Sequence, residues 1–449
     1  MKILNSESVS WLLRFGFLPY PEHFSENNPY EGGQISALVM SDLPSKVEQA
    51  LSSKKTIGTN EFSFIEFDKY FREAISKTVP KNKKVGVLLS GGKDSSALVY
   101  GLFREGYSEV LCYTFVPNSG EDESQDASIL CNALGFEHRV IRANLEADFE
   151  AWDYVLSQSD YPCGDFAFPS VCRLLKEMHG DGVEVAIDGM GNDIYMGHVP
   201  PRSEKMLQLC SVTKYLGKKI WGKEPRLDGL SSWKLKYVIS SVFMHPLERC
   251  FPGSRFSISE LQRFGLPTEH LWKSLEFLTE FTNDCDEFET RALVRGVLFD
   301  DFCAMEKSRL ASRAFGIDVR FPFCADKFVD YYNQLKDEEK FDKNNRVNKV
   351  ALRKYLAVLR LEYGIGSSVY NEKKGSFRFN FDEFLAGSYE KIDSLLSKSN
   401  VHNSELLSYF MKAGTRNLDY FEFSKLFLVV SLLIWEARNS VDTTSRRVL

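Results

Sequence analysis

The sequence predicts an α/β fold in which a parallel-sheet core is followed by a mainly helical half. Between Val85 and Ile187, short apolar runs alternate with helix-like segments, as in parallel sheets that are covered by helices on both faces. The first run, Val85 to Leu89, has the length and composition of a buried strand, and a serine- and glycine-containing loop follows it. Beyond about residue 200 the strand signal fades, and apolar residues recur at three- and four-residue spacing.

The predicted elements follow one another in a regular order along the chain. Apolar, strand-like runs are Val85 to Leu89, Val110 to Val116, His138 to Ile141 and Val183 to Ile187, and helix-like runs are Ala97 to Phe103, Ala127 to Leu134 and Val171 to Met178. In the second half, helices are predicted within 256–283, 287–315 and 382–399. We therefore divide the chain into an N-terminal linker region (1–66), the α/β core (67–200) and a mainly helical part that completes the site (201–449).

The composition indicates a globular protein without a general affinity for polyanions. The 449 residues carry a formal charge of −6, with a pI near 5.8, which gives no electrostatic pull toward nucleic acid or anionic membranes. Nine cysteines form no Cys-x-x-Cys pair, which fits reduced thiols in a cytoplasmic protein. The N-terminus lacks a signal-peptide pattern, and the longest apolar run, Leu426 to Trp435, is shorter than the ~20 residues of a membrane helix.

The loop after the first predicted strand has the residues of a phosphate-binding site. It reads Ser90-Gly91-Gly92-Lys93-Asp94-Ser95-Ser96 and leads into a predicted helix, so backbone amides and the helix N-terminus converge where an anion could bind. Asp94 can hold a magnesium ion between phosphate oxygens. Because Lys93 is followed by Asp94, this is not a Walker loop, and kinase-type γ-phosphate chemistry is not indicated. In the plainer alternative, the glycines form a turn and Asp94 caps the helix.

The string Ser-Gly-Gly-Lys-Asp-Ser resembles the pyrophosphate-loop signature of the adenine-nucleotide α-hydrolases. From about Phe67 to Trp435, the chain resembles the synthetase domain of asparagine synthetases, β-lactam synthetases and lasso-peptide cyclases. The stretches that carry the resemblance occur in the family's order: Asp122-Glu123 with Ala127, Leu134 to His138, Asp160-Tyr161-Pro162 with Asp165, Asp188 to Asp193, Arg320 to Phe323, Lys349 to Arg353, and Lys373 to Gly375. The resemblance implies ATP and Mg²⁺ as cofactors, and cleavage of ATP to AMP and pyrophosphate.

The resemblance also implies which residues contact the nucleotide. The predicted cofactor-binding residues are Leu89, Ser90, Gly91, Gly92, Asp94, Ser95, Ser96, Val116, Gly189 and Lys373. Asp94 and Asp193 are the predicted metal ligands, because two carboxylates that bridge a metal and a polyphosphate suit the departure of pyrophosphate. In the plainer alternative, Gly189, Gly191 and Asp193 only form a turn.

The predicted catalytic residues are Lys373, Asp94, Asp193 and Glu306. Lys373 would stabilise negative charge on the α-phosphate or on a tetrahedral intermediate, and its neighbour Lys374 is an open alternative. Glu306 would position the substrate or act as a base. Acidic residues on such a helix, including Asp300 and Asp301, are more often an exposed face.

Two departures separate the chain from glutamine-dependent asparagine synthetases. Those enzymes begin with a glutaminase domain whose nucleophile is a cysteine directly after the initiator methionine, whereas position 2 here is Lys2 and the first cysteine is Cys112. The segment Trp11 to Pro19 resembles the stretch that closes that domain, so region 1–66 is interpreted as a remnant or replacement. In addition, Met190 and Ile194 stand where asparagine synthetases have glutamates, which favours an altered acceptor pocket.

The sequence therefore predicts an AMP-forming carbon–nitrogen ligase that adenylates a carboxylate or amide on a small molecule or peptide. The nitrogen would come from an amine or from externally supplied ammonia, and a separate protein could deliver ammonia or substrate. Two alternatives stay open, namely a tRNA- or sulfur-modifying enzyme and a non-catalytic ATP-binding subunit. The acidic balance argues against a nucleic-acid partner. The stretch Arg202 to Lys236, with nine basic and three acidic residues, either receives an acidic partner or is a solvated helical surface.

Overall fold

A five-stranded parallel sheet lies at the centre of the molecule, in the order β3-β2-β1-β4-β5. The computed structural model describes residues 4–18, 58–118, 122–211, 216–223, 232–251, 256–365, 381–397, 404–413 and 420–439. The strands are β1 (Val85–Leu88), β2 (Val110–Val116), β3 (Glu137–Arg142), β4 (Val185–Ile187) and β5 (Asp318–Arg320), and a two-stranded hairpin is formed by β6 (Phe341–Asp342) and β7 (Val347–Asn348). The predicted α/β class with a parallel-sheet core is confirmed.

Helices surround this sheet and make up most of the second half. They are α1 (Ser6–Phe15), α2 (Phe64–Thr78), α3 (Lys93–Arg104), α4 (Ser124–Leu134), α5 (Leu145–Gln158), α6 (Phe168–Gly180), α7 (Asp193–Met196), α8 (Glu204–Cys210), α9 (Trp233–Phe243), α10 (Ile258–Arg263), α11 (Glu269–Thr282), α12 (Glu287–Val294), α13 (Glu306–Phe315), α14 (Asp326–Asn333), α15 (Asp337–Lys340), α16 (Val350–Glu362), α17 (Phe381–Ser397), α18 (Ser404–Ala413) and α19 (Tyr420–Asn439). A π-helix, Arg295–Met305, joins α12 to α13. None of these described helices is both long and apolar enough to cross a lipid bilayer.

Alternate residues of the strands supply two separate hydrophobic cores, because successive side chains of a strand point to opposite faces of a sheet. On β1, Val85 and Val87 belong to one core, which α2, α3, α14 and α16 complete. Leu88 belongs to the other and larger core, which includes α1, α5, α6, α13 and α19. The sheet is therefore covered on both faces, as the apolar runs predicted.

Local sequence signals set several helix ends. The side chain of Asn144 caps α5 by accepting a hydrogen bond from the amide of Ala147 at 3.0 Å. Gly135 and Gly316 end α4 and α13 in the left-handed conformation, which glycine adopts without steric cost. These helix ends fix where the next strand, β3 or β5, begins.

Two features go beyond the sequence prediction. The edge strand β5 comes from the mainly helical half and pairs with β4, so residues of 201–449 complete the sheet. Helix α1, from the region interpreted as a linker, is a core element, since Trp11, Leu13 and Phe15 are buried. Its Arg14 forms a buried ion pair with Glu248, with 2.8 Å between Nε and Oε1. The N-terminal helix is thus anchored to the helical half.

Candidate functional site

The strand order places a crevice at the carboxyl ends of β1 and β4. The chain leaves β1 toward β2 on one side and leaves β4 toward β5 on the other, so the connections diverge between these two neighbours. Ligands of open parallel sheets bind at such a switch point. The Ser90 loop follows β1, and the loop that carries Gly189 and Asp193 follows β4. The fold therefore brings the two predicted glycine loops to one place.

The Ser90 loop is ordered by its own serines. The Ser95 hydroxyl donates to the carbonyl of Ser90 at 2.9 Å and accepts from the amide of Ser90 at 3.1 Å. The hydroxyl of Ser90 accepts from the amide of Gly92 at 3.2 Å, and Ser96 donates to the carbonyl of Gly92 at 2.9 Å. Helix α3 begins directly after Gly92, without a side-chain cap at its N-terminus. The backbone is thus held in one shape at the positive end of a helix, as an anion site requires.

A carboxylate already uses one amide of this loop. Oε2 of Glu123 accepts a hydrogen bond from the amide of Gly91 at 2.8 Å. A Cβ atom added to Gly91 would lie 2.9 Å from the Cβ of Glu123, so only glycine leaves room for this approach. The loop thus binds a negatively charged oxygen, and a phosphate would have to replace that of Glu123.

Gly189 lies against the start of α3. A Cβ atom on Gly189 would lie 3.0 Å from the amide nitrogen of Ser95 and 3.2 Å from the carbonyl carbon of Asp94. Both neighbours are backbone atoms and cannot swing away. Gly189 therefore permits the two loops to touch, a requirement stricter than that of an ordinary turn.

The two predicted metal ligands, Asp94 and Asp193, meet at a single cation. Nζ of Lys349 lies 2.9 Å from both carboxylate oxygens of Asp94 and 2.7 Å from Oδ1 of Asp193. Asn192 completes the cluster, since its amide nitrogen donates to Oδ1 of Asp94 at 2.7 Å and its oxygen accepts from Lys349 at 3.1 Å. All four side chains are buried. Asp94 is thus part of a buried charge cluster and does more than cap a helix.

The aspartates control the protonation of Lys349. Burial by itself lowers the pKa of this lysine, but Asp193 and Asp94 together raise the pKa above the ordinary lysine value. The two carboxylates therefore favour the ammonium form of Lys349.

The donor set fits a magnesium ion with few protein ligands. Nζ of Lys349 fills the position on which Asp94 and Asp193 converge, so a magnesium ion would bind these carboxylates beside the ammonium group. Carboxylate oxygens are the ligands that Mg²⁺ prefers. Within the described part of the chain, no group of three or more His, Cys, Asp or Glu side chains could hold a metal ion. A magnesium ion here would take its remaining ligands from phosphate oxygens and water, as is common for this metal.

No role was predicted for Lys349 from the sequence, although the stretch Lys349 to Arg353 is one of those that resemble asparagine synthetases. It precedes α16 and has a left-handed backbone, with φ 57° and ψ 40°. Such a conformation is unfavourable for a lysine and is often found at functional sites. The side chain of Asn348 holds the hairpin beside α7 by donating to the carbonyl of Gly197 at 2.8 Å. This junction directs Lys349 into the cluster.

The backbone groups of Leu89 and Val116, which are expected near the adenine base of ATP, already make some hydrogen bonds within the protein. The amide of Leu89 donates to the carbonyl of Tyr113 at 2.8 Å, and the carbonyl of Leu89 accepts from the hydroxyl of Thr114 at 2.9 Å. The carbonyl of Val116 accepts from the amide of Ala143 at 2.9 Å. A carbonyl oxygen has two lone pairs, so each of these carbonyls keeps one acceptor position. Contacts of Leu89 and Val116 with a base remain a prediction.

Glu306 is buried in a separate polar cluster. Its Oε1 accepts from the hydroxyl of Tyr161 and from Nη2 of Arg313, each at 2.7 Å, and its Oε2 accepts from Nη1 of Arg309 at 3.1 Å. Sequence reasoning missed Tyr161, Arg309 and Arg313 as partners. With three donors, Glu306 is suited to hold other groups in place, and its role in catalysis stays a prediction.

The neighbouring acids are also structured. Asp300 is buried, with Oδ2 2.6 Å from Nε2 of His198, and Asp301 accepts from Nη2 of Arg309 at 2.8 Å. An exposed acidic face is therefore the wrong description for Asp300 and Glu306. The remaining predicted catalytic residue, Lys373, and its neighbour Lys374 lie outside the described residues.

Met190 stands between Asp188 and Asn192 in the loop that follows β4. Its amide donates to Oδ1 of Asp188 at 3.1 Å, and its half-buried side chain packs against the larger core. Asp188 in turn accepts from the hydroxyl of Ser308, and Lys307 beside it pairs with Asp165 at 3.0 Å. The thioether of Met190 supplies neither a proton acceptor nor a charge at this position.

Comparison with known proteins gives one match over most of the chain and several partial ones. The asparagine synthase family model matches residues 66–418. The amidase chyE of Penicillium rubens is 26% identical over 188 residues, which cover 38% of this chain and 27% of that protein. The tRNA-specific 2-thiouridylase MnmA 1 of Fusobacterium nucleatum is 35% identical over 95 residues, 21% of this chain and 24% of that protein. The chain thus matches only about a quarter of the length of these curated relatives.

Among solved structures, similarity is weak. The U34-tRNA thiolase NcsA of Methanococcus maripaludis has a TM-score of 0.25 at 16% identity, covering 52% of this chain and 78% of that one. The NH3-dependent NAD synthetase of Campylobacter jejuni has a TM-score of 0.23 at 14% identity, covering 56% of this chain and 94% of that one. Both TM-scores are far below 0.5, whereas the asparagine synthase family model spans well over half of the chain. The chain belongs to the asparagine synthase family.

Proposed function

We propose that the protein is an ATP-dependent ligase that activates a substrate carboxylate as an acyl-adenylate and transfers the acyl group to an amine or to ammonia. The observation that carries this proposal is the convergence of Asp94, Asp193 and Lys349 beside an anion-binding loop at the switch point of the sheet. Membership of the asparagine synthase family supports a synthetase that uses ATP.

In the first step, a carboxylate oxygen of the substrate attacks the α-phosphorus of ATP. The bond from that phosphorus to the bridging oxygen breaks, and pyrophosphate leaves with the electron pair. The uncapped N-terminus of α3, which the Ser90 loop leads into, would hold the pyrophosphate through its backbone amides. A magnesium ion held by Asp94 and Asp193 would offset charge on the leaving group. Lys349, buried between the two aspartates, adds a fixed positive charge at the same place.

In the second step, the nitrogen of the amine attacks the acyl carbon. The bond to the AMP oxygen breaks, and the nitrogen loses a proton. Met190 cannot accept that proton, so the proton passes to another group or to solvent. Glu306 is held by Tyr161, Arg309 and Arg313, which supports a positioning role for it in this step. The acyl substrate and the amine are not assigned by these residues.

Exchange of radiolabelled pyrophosphate into ATP tests the first step without knowledge of the amine. Purified protein, Mg²⁺, ATP and a set of carboxylic acids and peptides are expected to give exchange that depends on the acid. Asp94→Asn and Asp193→Asn are expected to reduce the exchange about a hundredfold or more, since each removes a charge from the metal and phosphate site. Asp330→Asn, on an exposed face of α14, is the matched control and should keep the exchange.

A tRNA-modifying activity is the second candidate, because a 95-residue segment matches a tRNA thiouridylase. Such an enzyme also adenylates its substrate, but it would bind RNA with a strong dependence on salt. Pyrophosphate exchange that requires tRNA and no carboxylic acid would favour this candidate over the ligase.

A further inference from the structure

The described parts of the stretch Arg202 to Lys236 form a surface that the proposed catalysis does not use. Its described parts are α8, the segment 216–223 and α9, which together we name the basic face. Helices α8 and α9 pack on each other, and the amide of Gly222 approaches the carbonyl of Phe243 at the end of α9 at 3.5 Å. We propose that the basic face is a docking site for an acidic segment of a partner protein that also presents large apolar side chains.

Charge is the first observation in favour of this proposal. The elements of the basic face contain six lysines and one acidic residue, although the whole chain carries a charge of −6. That acid, Glu204, is buried and paired with Arg249 at 2.9 Å, so it does not neutralise the surface. Lys219, Lys223 and Lys234 are exposed. A local positive field on a negative molecule attracts a negatively charged partner and orients its approach.

Apolar exposure on the same elements is the second observation. Met206 and Leu209 on α8 are 52% and 74% exposed, Leu216 is 55% exposed, and Leu235 on α9 is 46% exposed. Only eleven large hydrophobic side chains of the described residues are exposed, and four of them fall in this short stretch. A simple solvated helix would carry polar side chains at these positions. Grouped apolar exposure beside charge is typical of an interaction site.

A surface cavity gives this face a place for an anchoring side chain. The cavity has a volume of about 450 Å³, and its lining includes Lys218, Trp221, Lys223, Ile258, Gln262 and Thr268. Trp221 forms a rigid wall, since its Nε1 donates to buried Glu248 at 3.0 Å and its ring lies 5.2 Å from that of Trp272. Lys218 pairs with Glu269 at the start of α11. Interfaces gain most of their affinity from large side chains that enter such pockets.

The shape of the site decides between a protein partner and a membrane. A cavity of this size with a tryptophan wall suits one large anchoring side chain of a protein partner. An acidic peptide segment can place a leucine or phenylalanine in the cavity while its carboxylates meet Lys219 and Lys223. The proposal does not depend on the chemistry at Asp94 and Asp193, because none of those residues belongs to the basic face.

Fluorescence anisotropy with a defined probe tests this proposal. The probe is a fluorescein-labelled peptide of repeated Glu, Leu and Phe residues, compared with the same peptide in which Lys replaces Glu. We expect saturable binding of the acidic peptide only, weakened by added salt. Lys219→Glu with Lys223→Glu should weaken binding about tenfold or more. Lys69→Glu with Lys83→Glu, two exposed lysines on other elements, should leave binding unchanged.

Two further variants test the apolar part. Leu209→Ser removes the most exposed of the large hydrophobic side chains of the basic face, and Gln262→Trp places a large ring at the cavity that Gln262 lines. Each should weaken binding while circular dichroism and melting temperature stay as in the parent protein. Failure of the acidic peptide to bind, or equal losses in the control variant, would overturn the proposal. So would binding to phosphatidylglycerol vesicles in place of the peptide, or self-association in sedimentation that Lys219→Glu with Lys223→Glu abolishes.

Discussion

Nζ of Lys349 lies 2.7 Å from Oδ1 of Asp193, and both side chains are buried beside the Ser90 loop. The lysine comes from the junction of a hairpin and a helix, and the aspartate follows β4. Their contact joins the start of α16 to the loop after β4 at the switch point of the sheet. Several consequences of this arrangement can be measured.

Loss of the Lys349 charge should destabilise the protein and create a metal-dependent stability. Lys349→Met leaves two buried carboxylates without their cation, which is expected to cost about 3–5 kcal/mol of unfolding free energy. Mg²⁺ should restore part of this loss, because the ion can neutralise Asp94 and Asp193. Urea denaturation with and without Mg²⁺ measures both effects. In Lys349→Met combined with Asp94→Asn the rescue should be smaller, and an equal rescue would show that Mg²⁺ acts elsewhere.

Gly189 is expected to tolerate no side chain. Gly189→Ala places a methyl group 3.0 Å from the amide nitrogen of Ser95, which should cost about 1–3 kcal/mol and distort the phosphate loop. Equilibrium dialysis with ATP should reveal weaker binding. Gly180→Ala is the matched control, because nothing lies within 4 Å of its added Cβ and it ends helix α6. Normal ATP binding by Gly189→Ala would contradict the close approach of the two loops.

Arg346 is expected to position Lys349 from a distance. Its guanidinium donates to the carbonyls of Pro200 and Pro201, and it sits above the ring of Phe288 at 5.5 Å. Arg346→Ala should raise the KM for ATP about tenfold, since the hairpin loses a charged hydrogen bond. Arg346→Lys should reverse only part of this rise in KM, because an ammonium group lacks the planar guanidinium that donates to both carbonyls. Arg139→Ala, on exposed β3, should leave the KM unchanged.

Buried His245 should make stability depend on pH. Burial lowers the pKa of His245 from 6.5 to about 4, with Glu248 opposing this shift and Arg249 adding to it. Above pH 6.5 the imidazole is neutral in both states. As the pH falls from about 6.5 toward 4, the unfolded chain binds a proton that the folded chain does not, so the unfolding free energy falls by up to about 1.4 kcal/mol per pH unit.

His245→Asn should flatten this dependence, because asparagine can replace the acceptor for the amide of Leu247 without titrating. His179→Asn, at an exposed position of α6, should keep the dependence of the parent protein. Urea titrations between pH 4 and 7 measure the slope. A slope that His245→Asn does not change would assign the proton to another group.

The positions of β1 to β4 along the chain, the Ser90 loop after β1 and the proximity of Asp94 to Asp193 could be predicted from the sequence, because these depend on local patterns. Lys349 was not assigned a role, since its contact with Asp94 depends on a left-handed backbone that only tertiary packing stabilises. The strand β5 has three residues, too few for a periodic signal, and it exists because it pairs with β4. Helix α1 fell in the region interpreted as a linker or remnant, because the contact of its Arg14 with Glu248 joins residues that are far apart in the sequence.

The measurement that tests the central claim most directly is the identity of the nucleotide product. ATP labelled at the α-phosphate is incubated with the protein, Mg²⁺, a set of carboxylic acids and hydroxylamine, which traps acyl-adenylates as hydroxamates. Thin-layer chromatography of the product should show labelled AMP in amounts equal to the hydroxamate formed, and none with Asp94→Asn. Labelled ADP in place of AMP would place the attack at the γ-phosphate and contradict the account.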